Sequence, residues 1–104
     1  MLTEVGAVLL EAEGFDVVGE AAGGRDALAA VPRVRPEIVL LDIQLPDLDG
    51  FAAAERLAAG PDPPTVVLTS GRDARTFASR LAAHPRGFIS KADLSGAALA
   101  RLVG

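Results

Sequence analysis

A chain of 104 residues is long enough for one domain, residues 1–104, and its 50% of hydrophobic residues can form a buried core. Fourteen acidic against ten basic side chains give a net charge of -4, which argues against direct binding of nucleic acid. Zero cysteines exclude a disulfide scaffold, a thiolate zinc site and a cysteine nucleophile. No membrane span and no signal peptide are recognisable, so we expect a cytoplasmic protein.

The first third of the chain predicts a strand between two helices. Its elements are a helix over residues 1–13, a strand over residues 15–19 and a helix over residues 25–34. The apolar residues at helical spacing in the first helix are Leu2, Val5, Leu9 and Ala12. Gly14 is a natural stop for that helix, and Gly23 and Gly24 form a turn. Pro36 ends the second helix because the residue before a proline is pushed out of the α region.

The rest of the chain continues the alternation of strands and helices. Its elements are strands over residues 38–41, 65–68 and 88–90, helices over residues 51–59 and 73–83, and a last helix from Leu94 or Ser95 to Val103. The first of these strands is continuously apolar, which is typical of a strand buried on both faces of a parallel sheet. Strands that alternate with single helices predict an α/β, three-layer, doubly wound parallel sheet.

Three polar residues directly follow successive strands. Asp42, Thr69 and Lys91 are expected at one edge of the sheet, because ligands bind outside the carboxyl ends of parallel strands. A carboxylate there can act as a nucleophile toward a phosphoryl group, while the hydroxyl and the ammonium contact the phosphoryl oxygens and Mg²⁺ assists. Singly, each residue has an ordinary explanation as a cap, a turn former or a surface charge. Their convergence favours a site.

Three segments carry a resemblance to a known family. The segment LLDIQLPDLDG over residues 40–50 resembles the phosphoacceptor segment of the response-regulator receiver domain. PTVVLTS over residues 64–70 is similar to that family's fourth strand with its hydroxyl residue, and GFISK over residues 87–91 to its fifth strand with its aromatic and lysine positions. Residues 11–24 look like the end of the family's first helix and its second strand, so the resemblance extends over nearly the whole chain.

The resemblance implies a role for each residue of the site. Asp42 would be the phosphoacceptor, Lys91 the lysine that contacts the phosphate, and Thr69 the hydroxyl that follows the phosphoryl group. Phe88 would be the aromatic switch, and the backbone carbonyl of Gln44 would bind Mg²⁺ beside Asp42. The implied partners are a histidine kinase or phosphotransfer protein and an unidentified output protein. We expect no enzyme activity, and the composition leads us to expect no membrane binding and no direct contact with nucleic acid.

The sequence departs from the family at its start. The family opens with a strand that ends in two acidic residues, which hold the Mg²⁺, and this strand lies second in the order 2-1-3-4-5. No such strand precedes the helix predicted over residues 1–13, so we expect a flavodoxin-like sheet of four strands with five helices and the first strand missing. Mg²⁺ binding by Asp42 and Gln44 alone is expected to be weak or absent.

Three explanations of the missing strand are open. The chain is a truncated receiver, a pseudo-receiver whose sheet is rearranged or completed by a partner, or one half of a homodimer that exchanges strands. Truncation is favoured because everything after the gap looks ordinary.

The sequence therefore predicts a receiver of a two-component system that is phosphorylated on Asp42 by a histidine kinase and signals by binding a partner. The alternative is a pseudo-receiver or truncated receiver that acts only as a protein-interaction module. A flavodoxin-like binder of small molecules shares the architecture, but its phosphate-binding loop is missing from the sequence.

Overall fold

The computed structural model describes residues 6–11, 14–71, 87–90, 93 and 95–103, without the side chains of residues 102 and 103. Its strands are β1 (Ala7–Leu10), β2 (Val17–Ala21), β3 (Ile38–Asp42), β4 (Thr65–Ser70) and β5 (Gly87–Ser90). The described helices are α1 (Gly24–Val34), α2 (Gly50–Ala59) and α3 (Gly96–Val103). None of them is long and apolar enough to cross a membrane. The helix predicted over residues 73–83 lies outside the described residues.

The strands form one mixed sheet in the order β2-β1-β3-β4-β5. β3, β4 and β5 are parallel to one another, as predicted. β1 is antiparallel to both of its neighbours, β2 and β3, so the expected all-parallel sheet is wrong at this one strand. Because β1 opposes both neighbours, β2 and β3 still run in the same direction.

The helix predicted over residues 1–13 is wrong for its middle part, because Ala7–Leu10 is the strand β1. All four of its residues are completely buried, and Val8 pairs with Glu20 on one side and Leu40 on the other. A short apolar run suits a buried strand as well as a helix, and periodicity alone does not separate them. The chain thus fills the expected gap with its own residues, and the four-strand sheet is corrected to five strands.

The short connection between β1 and β2 explains why β1 is antiparallel to its neighbours. Residues 11–16 join them, and so short a link allows only antiparallel neighbours, because a parallel crossover takes about a dozen residues or more. The N–H of Glu11 donates to the carbonyl of Asp16 at 3.0 Å, and Gly14 and Phe15 have φ values of 74° and 53°. The strand predicted from residue 15 begins at Val17 because the turn includes Phe15 in a left-handed conformation.

Two apolar clusters cover the two faces of the sheet and make the three layers. On one face Phe51 and Ala27 of α2 and α1 pack against the sheet residues Val39, Leu41 and Leu68. On the other face Leu99 of α3 packs against sheet residues that are Val8, Leu10, Ile38, Leu40, Val67 and Ile89. Full burial of each large aliphatic side chain contributes about 1.5–3 kcal/mol, so the central strands hold the fold together.

Candidate functional site

Asp42 is the last residue of β3 and is half-buried at the carboxyl edge of the sheet. Its backbone N–H donates to the carbonyl of Gly6 at 2.9 Å, and its Oδ1 accepts a hydrogen bond from the N–H of Gln44 at 2.9 Å. The strand therefore holds the backbone of Asp42 while the following loop orients its carboxylate. The side chain remains accessible from the edge, as a phosphoacceptor requires.

Thr69 lies beside Asp42 on the neighbouring strand. The two residues are register partners, and the N–H of Ile43 donates to the carbonyl of Thr69 at 2.9 Å. The side chain of Thr69 is completely buried, and within the described part of the chain its Oγ1 has no hydrogen-bond partner. Leaving a buried hydroxyl unsatisfied costs about 1–3 kcal/mol, so such a group points to a site that a ligand completes.

The fifth strand brings Phe88 to the same region of the sheet. Phe88 is half-buried, pairs with Leu68 and packs against the cluster that α1 and α2 cover. The register partner of Thr69 is Ile89, which lies in the other cluster, so Phe88 and Ile89 occupy opposite faces. Lys91 lies outside the described residues, and its role stays a prediction.

The loop between β3 and α2 is closed onto the end of β3. Gln44 and Asp49 bridge it, and the N–H of Gly50 donates to the carbonyl of Ile43 at 2.8 Å. The carboxylate of Asp49 caps α2 by accepting from the N–H of Phe51 at 2.8 Å. A Cβ on Gly50 would overlap the carbonyl of Asp42 and lie 2.6 Å from Cα of Ile43. Only glycine lets the helix begin this close to Asp42.

The five strands, with Asp42 and Thr69 at their carboxyl edge, lie within residues 1–101, which match the model of the response regulator receiver domain. The chain belongs to this family. The resemblance that the three segments carry is thereby confirmed, and so are the two-component class and the flavodoxin-like α/β fold.

The curated relatives of this receiver domain are longer proteins. The DNA-binding transcriptional activator DevR/DosR of Mycobacterium tuberculosis is 37% identical over 90 residues, which cover 86% of this chain and 41% of that protein. A protein-glutamate methylesterase/protein-glutamine glutaminase of Alkalilimnicola ehrlichii is 36% identical over 93 residues, or 86% of this chain and 24% of that protein. The chain therefore spans less than half the length of either relative.

Solved structures include receiver domains with the same fold. The signal receiver domain of a modulated diguanylate cyclase from Desulfovibrio desulfuricans, described as an example of alternate folding, superposes with a TM-score of 0.69 at 34% identity, over 90% of this chain and 75% of that one. The signal receiver domain of a Luxo repressor protein from Vibrio parahaemolyticus has a TM-score of 0.61 at 24% identity, over 76% of this chain and 61% of that one. At this identity the similarity supports the fold and nothing further.

Receiver domains bind Mg²⁺ at an acidic pocket, and the described residues of this receiver domain do not fit such a pocket. The reversed β1 is the reason, since its amino end lies beside Asp42 and presents the carbonyl of Gly6 there. In the described part of the chain no group of three or more acidic or histidine side chains could hold a metal ion. The carboxylate of Asp42 and the carbonyl of Gln44 remain as ligands, which is a poor donor set for Mg²⁺.

Asp47 joins the loop between β3 and α2 of the receiver domain to α1, a contact that the sequence did not predict. Its Oδ1 accepts from the N–H of Gly24 at 2.8 Å, its Oδ2 accepts from the N–H of Arg25 at 3.1 Å, and Nε of Arg25 lies 3.9 Å from Oδ2. The cap residue of α1 is Gly23, which has no side chain to accept these bonds. The one signal in the sequence is a helix start that has glycines where a polar cap is usual.

The capping role of Asp47 predicts a dependence of stability on pH. The N–H of Gly24 and then that of Arg25 hold the pKa of Asp47 below its ordinary value. A pKa that is lower in the folded state stabilises the fold fully above the unfolded-state pKa of about 3.9, and this stabilisation is lost as the pH falls through the folded-state pKa. We expect Asp47→Asn to lower the midpoint of urea unfolding at neutral pH, with a difference from wild type that shrinks below about pH 4. A difference that stays constant down to about pH 3 would contradict this assignment.

Proposed function

We propose that this receiver domain accepts a phosphoryl group on Asp42 from a histidine kinase or a phosphotransfer protein. The observation that carries the proposal is the pair of polar groups at the end of β3 and β4. The carboxylate of Asp42 is half-buried and is oriented by the N–H of Gln44. Asp42 is paired in the sheet with Thr69, whose buried hydroxyl has no hydrogen-bond partner among the described residues. A phosphoryl group on Asp42 would supply an acceptor for that hydroxyl.

The proposed reaction moves a phosphoryl group from a histidine nitrogen to a carboxylate oxygen. An oxygen of Asp42 attacks phosphorus, the P–N bond breaks, and its electron pair stays with the imidazole, which takes up a proton. The product is an acyl phosphate. The hydroxyl of Thr69 then donates to a phosphoryl oxygen, and a hydrogen bond to a charged group is worth about 1.5–3 kcal/mol. Because only the phosphorylated protein offers this acceptor to Thr69, the added hydrogen bond would favour an activated conformation.

Lys91 and Phe88 complete the proposed response. Lys91 directly follows Ser90, the last residue of β5. We propose that its ammonium group stabilises the negative charge that builds up on the phosphoryl oxygens. Phe88, half-buried beside Leu68, is the proposed aromatic switch. If Mg²⁺ binds, Asp42 and the backbone carbonyl of Gln44 would be its ligands from the described residues, and no step of the proposed transfer depends on it.

The output is proposed to be the binding of another protein. A net charge of -4 favours a protein partner over nucleic acid, although relatives include a DNA-binding activator. A second candidate function, that of a protein-interaction module without phosphorylation, is favoured by the reversed β1, which leaves a poor set of Mg²⁺ ligands at the site. The cytoplasm is the proposed location, since that is where a kinase would meet this domain.

The test is the intact mass of the purified chain after incubation with acetyl phosphate, with Mg²⁺ and with a chelator in its place. We expect one phosphoryl adduct on the wild type in both conditions, because the described residues are a poor donor set for Mg²⁺. We expect none on Asp42→Asn, because the amide is a poor nucleophile. Circular dichroism of both proteins checks that they are folded. The absence of an adduct on a folded wild-type chain would reject the phosphoacceptor and favour the interaction module.

Thr69→Val is expected to separate stability from function. The substitution removes a buried hydroxyl that has no partner in the described part of the chain, so the free energy of unfolding should rise by about 1 kcal/mol. The same change should shorten the lifetime or weaken the response of the phosphorylated state, because the acyl phosphate loses a donor. Urea unfolding and the decay of the adduct by mass measure the two effects. A loss of stability in Thr69→Val would show that the hydroxyl has a partner in the unphosphorylated protein.

A further inference from the structure

We infer that Asp47 couples the acceptor loop, residues 43–49, to the first turn of α1, so that a change at Asp42 alters the start of that helix. The contact itself is independent of phosphorylation, whereas its use in signalling depends on the proposed function. Asp47 is thus a positioning residue that links the acceptor loop to α1.

The hydrogen bonds of the loop form a continuous connection. It starts at Oδ1 of Asp42, which accepts from the N–H of Gln44, and the bridge between Gln44 and Asp49 then closes the loop. The carboxylate of Asp47 extends from this closed loop and accepts hydrogen bonds from the N–H groups of Gly24 and Arg25. These N–H groups are in the first turn of α1, where no carbonyl of the helix can accept from them. A closed loop moves as a unit, so a displacement at Gln44 reaches Asp47.

The packing around Gly23 and Gly24 makes the connection tight. A Cβ on Gly23 would lie 2.7 Å from Oδ1 of Asp47, and a Cβ on Gly24 would lie 2.9 Å from Cβ of Leu48. Leu45 also reaches this point, with its Cδ1 3.1 Å from the same position on Gly24. The two glycines therefore form a recess that the acceptor loop fills. A loop that moves must either carry α1 with it or leave two N–H groups without acceptors.

This connection ends at an exposed part of α1. The exposed residues near the start of the helix are Arg25 and Asp26, and α1 packs on β2 and α2 rather than on β5 or α3. The connection from Asp42 to α1 therefore does not run through β5, the strand that contains Phe88.

A double-mutant comparison by amide NMR tests the inference without a phosphoryl group. Asp42→Asn is made in the wild type and in an Asp47→Ala background, and the amide signals of Gly24 and Arg25 are followed. We expect Asp42→Asn to shift both signals in the wild-type background and to leave them in place in the Asp47→Ala background. Asp47→Ala should also raise the amide exchange rates of Gly24 and Arg25 about tenfold, and Asp47→Asn, which keeps an acceptor oxygen, should restore part of the protection. Shifts that are equal in the two backgrounds would overturn the inference.

A second pair of variants covers the case in which Asp47→Ala does not fold. Gly23→Ala displaces the Asp47 carboxylate, and Gly71→Ala is its control because no atom of the described residues lies within 4 Å of the added methyl group. We expect Gly23→Ala, and not Gly71→Ala, to uncouple Gly24 and Arg25 from Asp42→Asn. Coupling that is unchanged in Gly23→Ala would contradict the inference.

Beryllofluoride with Mg²⁺ separates this inference from the proposed function. A response at Gln44 together with Gly24 and Arg25 supports both, and a response at Gln44 alone overturns the coupling. If beryllofluoride leaves Gln44 unchanged, the proposed phosphoacceptor fails, and the Asp42→Asn comparison still decides whether Asp47 couples the loop to α1.

Discussion

Gly50→Ala is expected to lower the free energy of unfolding by about 3 kcal/mol, the upper end of the usual cost of overpacking. The added Cβ would overlap the carbonyl of Asp42 and lie 2.6 and 2.8 Å from Cα and the carbonyl oxygen of Ile43. All three atoms belong to the backbone at the end of β3, so no side-chain rotation relieves the clash. The start of α2 must move away, and the hydrogen bond from the N–H of Gly50 to Ile43 lengthens or breaks. Urea unfolding measures the loss.

Gly96→Ala is the matched control, because Gly96 is also the first residue of a helix and an added methyl group there meets no atom of the described residues within 4 Å. Its free energy of unfolding should stay the same or rise slightly, since alanine favours the helix. Equal effects of the two substitutions would mean that the acceptor loop and α2 are not packed as described. Gly50→Ala should also reduce phosphorylation of Asp42 by acetyl phosphate in any fraction that remains folded.

Leu10→Ala tests the strand β1 against the helix that the sequence predicts. Leu10 is completely buried, pairs with Ile38 and lies in the cluster that α3 covers. Removal of its side chain should therefore cost about 3 kcal/mol, as is usual for leucine in a packed core. On the helix predicted over residues 1–13, Leu10 would lie about 100° around from the apolar-face residue Leu9, and its loss would change little.

Val17→Ala is the control for that experiment, because Val17 is on the edge strand β2 and its side chain is 50% exposed. We expect it to cost well under about 1 kcal/mol. A small effect of Leu10→Ala, similar to that of Val17→Ala, would contradict the strand β1 and favour the helix that the sequence predicts. Slow amide exchange of Val8 and Leu9 would be an independent sign of the central strand.

The proximity of Asp42 and Thr69 could be predicted from the sequence because each residue comes at the end of its strand. Asp42 and Thr69 come at the ends of apolar runs, and parallel strands bring their carboxyl ends to one edge whatever the details of packing. The link between Asp47 and α1 was not accessible in this way. Its partners, Gly24 and Arg25, are far away in sequence, and glycine at a helix start suggests a turn rather than the docking point of a distant carboxylate.

By itself, the sequence determined the class of the protein, the three parallel strands β3, β4 and β5, and the position of Asp42 at the end of β3, because all of these depend on local apolar runs and on the residues that follow them. The tertiary structure alone decided the conformation of Ala7–Leu10. A run of four apolar residues is compatible with a helix or with a strand, and the choice depends on what lies on either side of it. Here β2 and β3 both present unpaired backbone edges, so a strand satisfies more hydrogen bonds than a helix would. The short link to β2 then sets its direction, and that direction places the carbonyl of Gly6, rather than an acidic pair, beside Asp42.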